Sequence, residues 1–180
     1  MSNIAKINTL DIANGEGIRT SIFFSGCSHH CEGCFNQDIW NYDYGTSCGD
    51  KMNKDIFDSM NDHIAGISIL GGEPLDPKNI NDVYTLIAYF KRDFPKKTVW
   101  IWSGYTWDEL LDRIDCKCSL SKYEYLNGIT RSILKMTDVL VDGRFVLEQR
   151  DLNLKCRGST NQRIIDVQAS LKKGRVILYE

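Results

Sequence analysis

The sequence predicts an α/β protein: a mostly parallel sheet covered by helices, curled into an incomplete (β/α) barrel and forming a single domain. Three observations predict it. Short apolar runs rich in β-branched and aromatic residues alternate with segments of helical spacing, the pattern of βαβ units. The runs end in glycine beside a polar residue, as strands do where they turn into a ligand-facing edge. The chain has 180 residues, and a complete eight-unit barrel takes about 250.

The elements follow in order. "TSIFF" at 20–24 reads as a first buried strand, and Ile56, Phe57, Met60 and Ile64 share one face of a helix. "GISIL" at 66–70 reads as the next strand, followed by a helix carrying Ile80, Val83, Tyr84, Ile87 and Phe90 on one face. "TVWIW" at 98–102 and "DVLV" at 138–141 continue the sheet, and "RVILY" at 175–179 reads as a last strand. Trp100 and Trp102 alternate along their strand and read as packing residues. Polar residues with glycine or serine interrupt the pattern at 41–53 and 115–122. No repeat, low-complexity tract or Pro/Ser-rich linker divides the chain, so residues 1–180 are expected to form one domain.

Charge and composition exclude several functions. Lys plus Arg total 22 against 24 acidic residues, so no global positive field would gather nucleic acid or a membrane surface. "MSNIAKINTLDIANGEG" has no charged start followed by an apolar stretch, and no run approaches the roughly 20 apolar residues of a membrane span. A cytoplasmic location is expected. Seven cysteines is a high, odd count for such a chain. Clustered thiols in a reducing compartment bind metal or do redox work more often than they form disulfides.

Four strand ends carry the chemistry. Ser25-Gly26-Cys27, Gly71-Gly72-Glu73-Pro74, Ser103-Gly104-Tyr105 and Asp142-Gly143-Arg144 each follow one of the four interior runs. In a parallel sheet such ends share one edge, where α/β folds collect ligands, so four distant stretches line one site. Cys27, Cys31 and Cys34 bring three soft ligands within eight residues, which suits zinc or an iron-sulfur cluster. A structural zinc would add His29 or His30 as a fourth ligand; otherwise these histidines are exposed loop residues or donors to sulfur. A four-iron cluster takes four thiolates when it is closed. Three leave one iron open, which is what a metal needs to bind a small molecule.

Cys27-x3-Cys31-x2-Cys34 after one strand, with Gly71-Gly72-Glu73-Pro74 after the next, resembles the radical S-adenosylmethionine superfamily. "NGEGIR" (14–19), "GCxxxCxGCFNxxxW" (26–40), "GGEPL" (71–75), "WIWSGYTWDEL" (100–110), "VDGRF" (141–145) and "RGSTNQRIID" (157–166) narrow the resemblance to activators of anaerobic ribonucleoside-triphosphate reductase. The resemblance implies a [4Fe-4S] cluster on Cys27, Cys31 and Cys34, with S-adenosylmethionine on the open iron. A 5'-deoxyadenosyl radical would then take hydrogen from a glycine of the reductase. The partners implied are that reductase and a reductant such as flavodoxin. Gly33, Cys34, Phe35, Gly71, Gly72 and Glu73 become candidate cofactor contacts. Backbone N–H groups around Gly26 and Gly33 would tune the cluster, Phe35 would pack on adenine, and Glu73 would pair with the cofactor's ammonium. Ser103, Tyr105 and Asp142 are further candidates for ribose or carboxylate contacts, and "RGSTNQR" is an exposed turn or part of a docking surface. The chain departs from the pattern at Glu16, where proline is frequent, and at Gly33, where many superfamily members have an aromatic; the segment around Cys116 to Asn127 is also long. Cys48, Cys116, Cys118 and Cys156 form no second cluster motif and read as free thiols or a dithiol relay. Activation of another glycyl radical enzyme, a small-molecule radical reaction and a zinc-stabilised binding module are the competing readings.

Overall fold

The computed structural model describes residues 1–116 and 121–180. Among the described residues, seven strands form one open sheet: β1 (Asn3–Asp11), β2 (Ile18–Phe24), β3 (Thr46–Ser47), β4 (Ile64–Gly71), β5 (Thr98–Ser103), β6 (Val139–Asp142) and β7 (Arg163–Asp166). Their spatial order is β3-β1-β2-β4-β5-β6-β7. The central four, β2, β4, β5 and β6, run parallel, and β1, β3 and β7 are antiparallel additions at the edges. The sheet does not close into a barrel, as the chain length led us to expect.

The α-helices among the described residues are α1 (Asp50–Asp58), α2 (Ile80–Asp93), α3 (Trp107–Asp115), α4 (Ser121–Met136) and α5 (Val167–Lys173). Ile22, Phe24, Ile67, Ile69, Val99, Ile101, Leu140 and Ile165 turn one face of the sheet onto Ile56, Val83, Leu86, Ile87, Phe90, Leu110, Ile133 and Leu134 of the helices. That apolar layer is the core, and α4 packs against both α2 and α3 within the helical layer. Burying a side chain such as Ile or Phe here contributes roughly 1.5–3 kcal/mol.

Local chemistry sets the helix ends. Thr106 caps α3 by accepting from the N–H of Glu109, whose side chain accepts in return from the N–H of Thr106. Asp166 caps α5, and Gly174 ends it in the left-handed conformation that a glycine adopts without strain. Pro95 follows the end of α2 by two residues.

The opposite face of the sheet is more polar. Arg19, 1 % exposed, lies across it from β2. Its Nε donates to Ser68 Oγ, Nη1 to Glu16 O and Thr98 Oγ1, and Nη2 to Ile67 O and Thr98 O, so all five N–H groups are used. Trp100 packs beneath the guanidinium, and the Tyr179 ring meets Trp100 edge-on.

Three expectations change. Residues 175–179 do not form a strand; Leu178 makes one isolated bridge to Ile165, because the segment folds back after α5. The helix carrying Ile56 and Phe57 ends at Asp58, so Met60 follows it in a turn and Ile64 opens β4. β1 was not anticipated at all. Its exposure is irregular, with Ile4 buried and Leu10 exposed, and bulges break its register with β2.

Candidate functional site

The parallel strands bring their glycine-bearing ends to one edge. Cys27, Cys31, Cys34, Gly71, Gly72, Glu73, Ser103, Gly104 and Gly143 line one cavity of about 130 Å³, joined by His29, Trp40, Trp102, Phe145 and Gln162. A neighbouring cavity of about 390 Å³ shares Gly71, Trp102, Phe145 and Gln162 with it and adds Phe35, Cys156 and Gly158. The latter volume suits a small-molecule ligand.

The cysteine loop leaves β2 through Gly26, whose φ of +89° favours glycine. A Cβ there would lie 2.0 Å from the Tyr42 ring. Gly26 and Cys27 donate their N–H groups to Ile39 O and Trp40 O, closing the loop on itself. Gly33, with φ +69°, packs against Leu147. Burial pushes the Cys27 thiol up to about 11, against the pull of the His29 and His30 N–H groups. Burial also raises Cys31, against the Phe145 N–H, and the Asn36 N–H reaches Cys34 Sγ at 3.4 Å. Sulfur-directed donors therefore include residues other than the two glycines named from sequence, and the Gly26 N–H is committed to Ile39.

Gly71 and Gly72 are needed by the backbone itself. A Cβ on Gly72 would stand 2.2 Å from Gly26 O, and one on Gly71 2.5 Å from Phe24 O, with a φ of +112° besides. The turn they form is bonded to the cysteine loop: Gly72 N–H donates to Phe24 O at 2.7 Å and Glu73 N–H to Gly26 O at 2.8 Å.

Glu73 is fully buried. Its Oε1 accepts from Leu75 N–H at 2.8 Å and Ser103 Oγ at 2.9 Å. Its Oε2 accepts from Gly104 N–H at 2.7 Å and meets His29 Nε2 at 3.0 Å. Burying a carboxylate is costly unless such donors compensate. Phe35 is 58 % exposed, tilted against Phe145 at 5.1 Å with the Arg150 guanidinium over its ring.

Other residues differ from their sequence readings. His29 is not an exposed loop residue: its side chain is 6 % exposed and its ring meets Tyr105 edge-on. His30 stacks on Trp40 outside. Asp142 is committed to structure, accepting from Arg163 Nε and Nη2 and from Trp107 N–H. Trp102 lines both cavities and donates its Nε1–H to Cys156 O at 2.7 Å, holding the 151–158 segment over the sheet edge. Gln162 builds the turn at 157–163, accepting from Gly158 and Ser159 N–H and donating to Gly143 O. In the sequence it sits beside a second amide, Asn161, in a polar run, and nothing in the spacing singles it out. Cys48 is a core thiol, and Cys118 lies outside the described residues.

Among the described residues, no three His, Cys, Asp or Glu side chains converge on a point as a single-ion site. Three soft sulfur donors spread around one cavity fit a multinuclear iron-sulfur group, whose ligands attach to different irons.

A cavity lined by one buried and two half-buried thiols at the C-terminal edge of a parallel sheet fits the class of iron-sulfur domains. The model of a family described as a 4Fe-4S single cluster domain matches residues 13–165. The chain is 38% identical over 155 residues to the anaerobic ribonucleoside-triphosphate reductase-activating protein of Haemophilus influenzae, covering 84% of this chain and 90% of that one. It is 36% identical over 156 residues to the protein of the same name from Escherichia coli K12, covering 85% and 91%. With that of Enterobacteria phage T4 it shares 32% over 165 residues, covering 90% and 92%. The chain belongs to the family of anaerobic ribonucleoside-triphosphate reductase-activating proteins.

Proposed function

We propose that residues 1–180 form one radical S-adenosylmethionine domain that activates anaerobic ribonucleoside-triphosphate reductase. The observation that carries this reading is the meeting of three thiols with the Gly71-Gly72-Glu73 turn in one cavity. Cys27, Cys31 and Cys34 would hold a [4Fe-4S] cluster, which with S-adenosylmethionine beside it would supply the chemistry of one-electron reductive cleavage, releasing methionine and yielding the hydrogen-abstracting radical that would act on a reductase glycine.

Cys27, Cys31 and Cys34 hold the cluster on this reading, and Phe35, Gly71, Gly72 and Glu73 line the cofactor's seat together with Cys34, while Gly33, expected from sequence to contact the cofactor, lines neither cavity and packs against Leu147. The bonds from Gly72 and Glu73 to Phe24 and Gly26 fix that seat relative to the thiols. Glu73 contributes a negative charge held in place by four donors, which favours a cationic group beside it. Phe35 and Phe145 offer an apolar wall in the larger cavity, suited to a planar heterocycle. Trp102, by anchoring Cys156 O, holds the 151–158 segment against the larger cavity, which that segment lines. A one-electron reductant such as flavodoxin is the donor this chemistry requires.

The test is anaerobic incubation of the iron-loaded protein with reductant, S-adenosylmethionine and the reductase, read by electron paramagnetic resonance. A glycyl radical signal on the reductase is expected. No signal from fully loaded protein contradicts the reading and favours another substrate.

A further inference from the structure

We propose that His29 is a positioning residue: its bond to Glu73 sets where the cysteine loop stands relative to the cofactor's seat. This rests on the reading of Cys27, Cys31 and Cys34 as cluster ligands. His29 lies midway between the first two thiols, and its ring leaves the loop to reach the end of β4. Opposite a carboxylate, Nε2 is the protonated nitrogen and donates.

The seat for this ring is built by three residues from two segments. Glu73 Oε2 takes Nε2 at 3.0 Å. Tyr105 presents its ring edge-on at 4.5 Å between centroids, and Arg113 covers Tyr105 at 4.2 Å. Gly104 supplies the space: a Cβ there would stand 2.3 Å from His29 Cδ2 and 2.7 Å from Nε2. The glycine after β5 is therefore explained by the histidine it accommodates. Its φ is not in the left-handed region, so conformation alone does not demand glycine.

The other donors to Glu73 show what the bond connects. Leu75 N–H belongs to the same turn, while Ser103 Oγ and Gly104 N–H belong to the end of β5. One buried carboxylate thus holds the turn, the β5 end and the cysteine loop in a fixed arrangement. Losing His29 removes the tie between the middle of the loop and the Glu73 carboxyl, while leaving every thiol, three of the four donors and the backbone bonds at the loop's root in place. Geometry between an open iron and a ligand seat then loosens, and errors of about 1 Å in such a seat matter.

Four variants test this: His29→Ala, His29→Gln, Gly104→Ala and the His29→Ala/Gly104→Ala pair. Iron and acid-labile sulfide are counted per chain, and S-adenosylmethionine affinity is measured per loaded cluster from the change it causes in the reduced cluster's paramagnetic resonance. His29→Ala is expected to bind about tenfold more weakly, the scale of one hydrogen bond to a charged group. His29→Gln, which can still donate to Glu73, should recover to within about twofold. Gly104→Ala should reproduce His29→Ala by displacing the ring, and the pair should be no worse than His29→Ala alone. Should His29→Ala fail to load, Gly104→Ala carries the same comparison with the histidine intact. Unchanged affinity per cluster in His29→Ala or Gly104→Ala, or additive losses in the pair, overturns the proposal. A wild-type protein without iron and sulfide instead overturns the cluster reading beneath it.

Discussion

The side-chain amide of Asn79 donates to the carbonyl of Ser25 at 2.9 Å, joining the start of α2 to the first residue after β2. The same nitrogen donates to Glu73 O at 2.9 Å, and Asn79 is 1 % exposed. One buried amide therefore binds the root of the cysteine loop to the glycine-rich turn. Asn79→Ala leaves the buried Ser25 carbonyl without a partner, at about 1–3 kcal/mol, and removes one of two donors from Glu73 O, which keeps the Asp76 N–H, at about 1 kcal/mol. Denaturant unfolding of the metal-free protein is expected to show a loss of about 2–4 kcal/mol. A change below about 0.5 kcal/mol would place this clamp among ordinary surface contacts.

Gly72→Ala separates two explanations for the glycine. Clearance for a cofactor predicts that the metal-free chain tolerates alanine. The 2.2 Å approach of a Cβ to Gly26 O predicts that it does not, because both partners are backbone. We expect a loss of at least about 2 kcal/mol without any metal present, read from the shift in urea midpoint.

Arg19 supports the fold at a distance from the thiols. Lysine has three donors on one nitrogen and cannot replace the five-bond fork that spans Ser68, Glu16, Thr98 and Ile67. Arg19→Lys is expected to destabilise by about 2–4 kcal/mol. Iron content per folded chain should stay at the wild-type value; a fall in iron at equal folded fraction would show coupling that the contacts do not predict.

The α3 cap gives a pH-dependent prediction. Burial alone would raise the Glu109 carboxyl, but the Thr106 N–H and the Arg144 guanidinium outweigh it and hold the carboxyl below its ordinary 4.5. A lowered folded-state value means that the stabilisation is complete above 4.5 and is lost as pH falls through the lowered value. Wild type should therefore exceed Glu109→Gln in thermal stability at neutral pH, and the gap should close in acid. Thr106→Ala should cost about 1 kcal/mol at neutral pH, read by thermal denaturation.

The parallel core was legible because β2, β4, β5 and β6 are buried on the helix-facing side by β-branched residues, and their glycine ends share an edge in the sheet. The antiparallel edges were not. β1 mixes Ile4, Lys6 and Leu10 without a clean two-residue period, since an edge strand with bulges buries only part of one side. β7 has four residues, too few to show a period. At the site, the motif spacing brought Cys27, Cys31, Cys34 and the Gly71-Gly72-Glu73 turn to notice, and the structure places them around one cavity. His29 was undervalued because its partner is 44 residues away, and Trp102 because a strand tryptophan at a sheet end looks like one in its middle. Long-range pairs of this kind leave no mark on local spacing.

The central claim is that three cysteines hold a four-iron cluster with one iron left open to the cofactor. Its most direct test is anaerobic metal and sulfide analysis combined with electron paramagnetic resonance of the reduced protein, recorded with and without S-adenosylmethionine. About four iron and four sulfide per chain, with a resonance that changes shape when the cofactor is added, is the predicted result. A single zinc without sulfide, or a cluster resonance indifferent to S-adenosylmethionine, would contradict it.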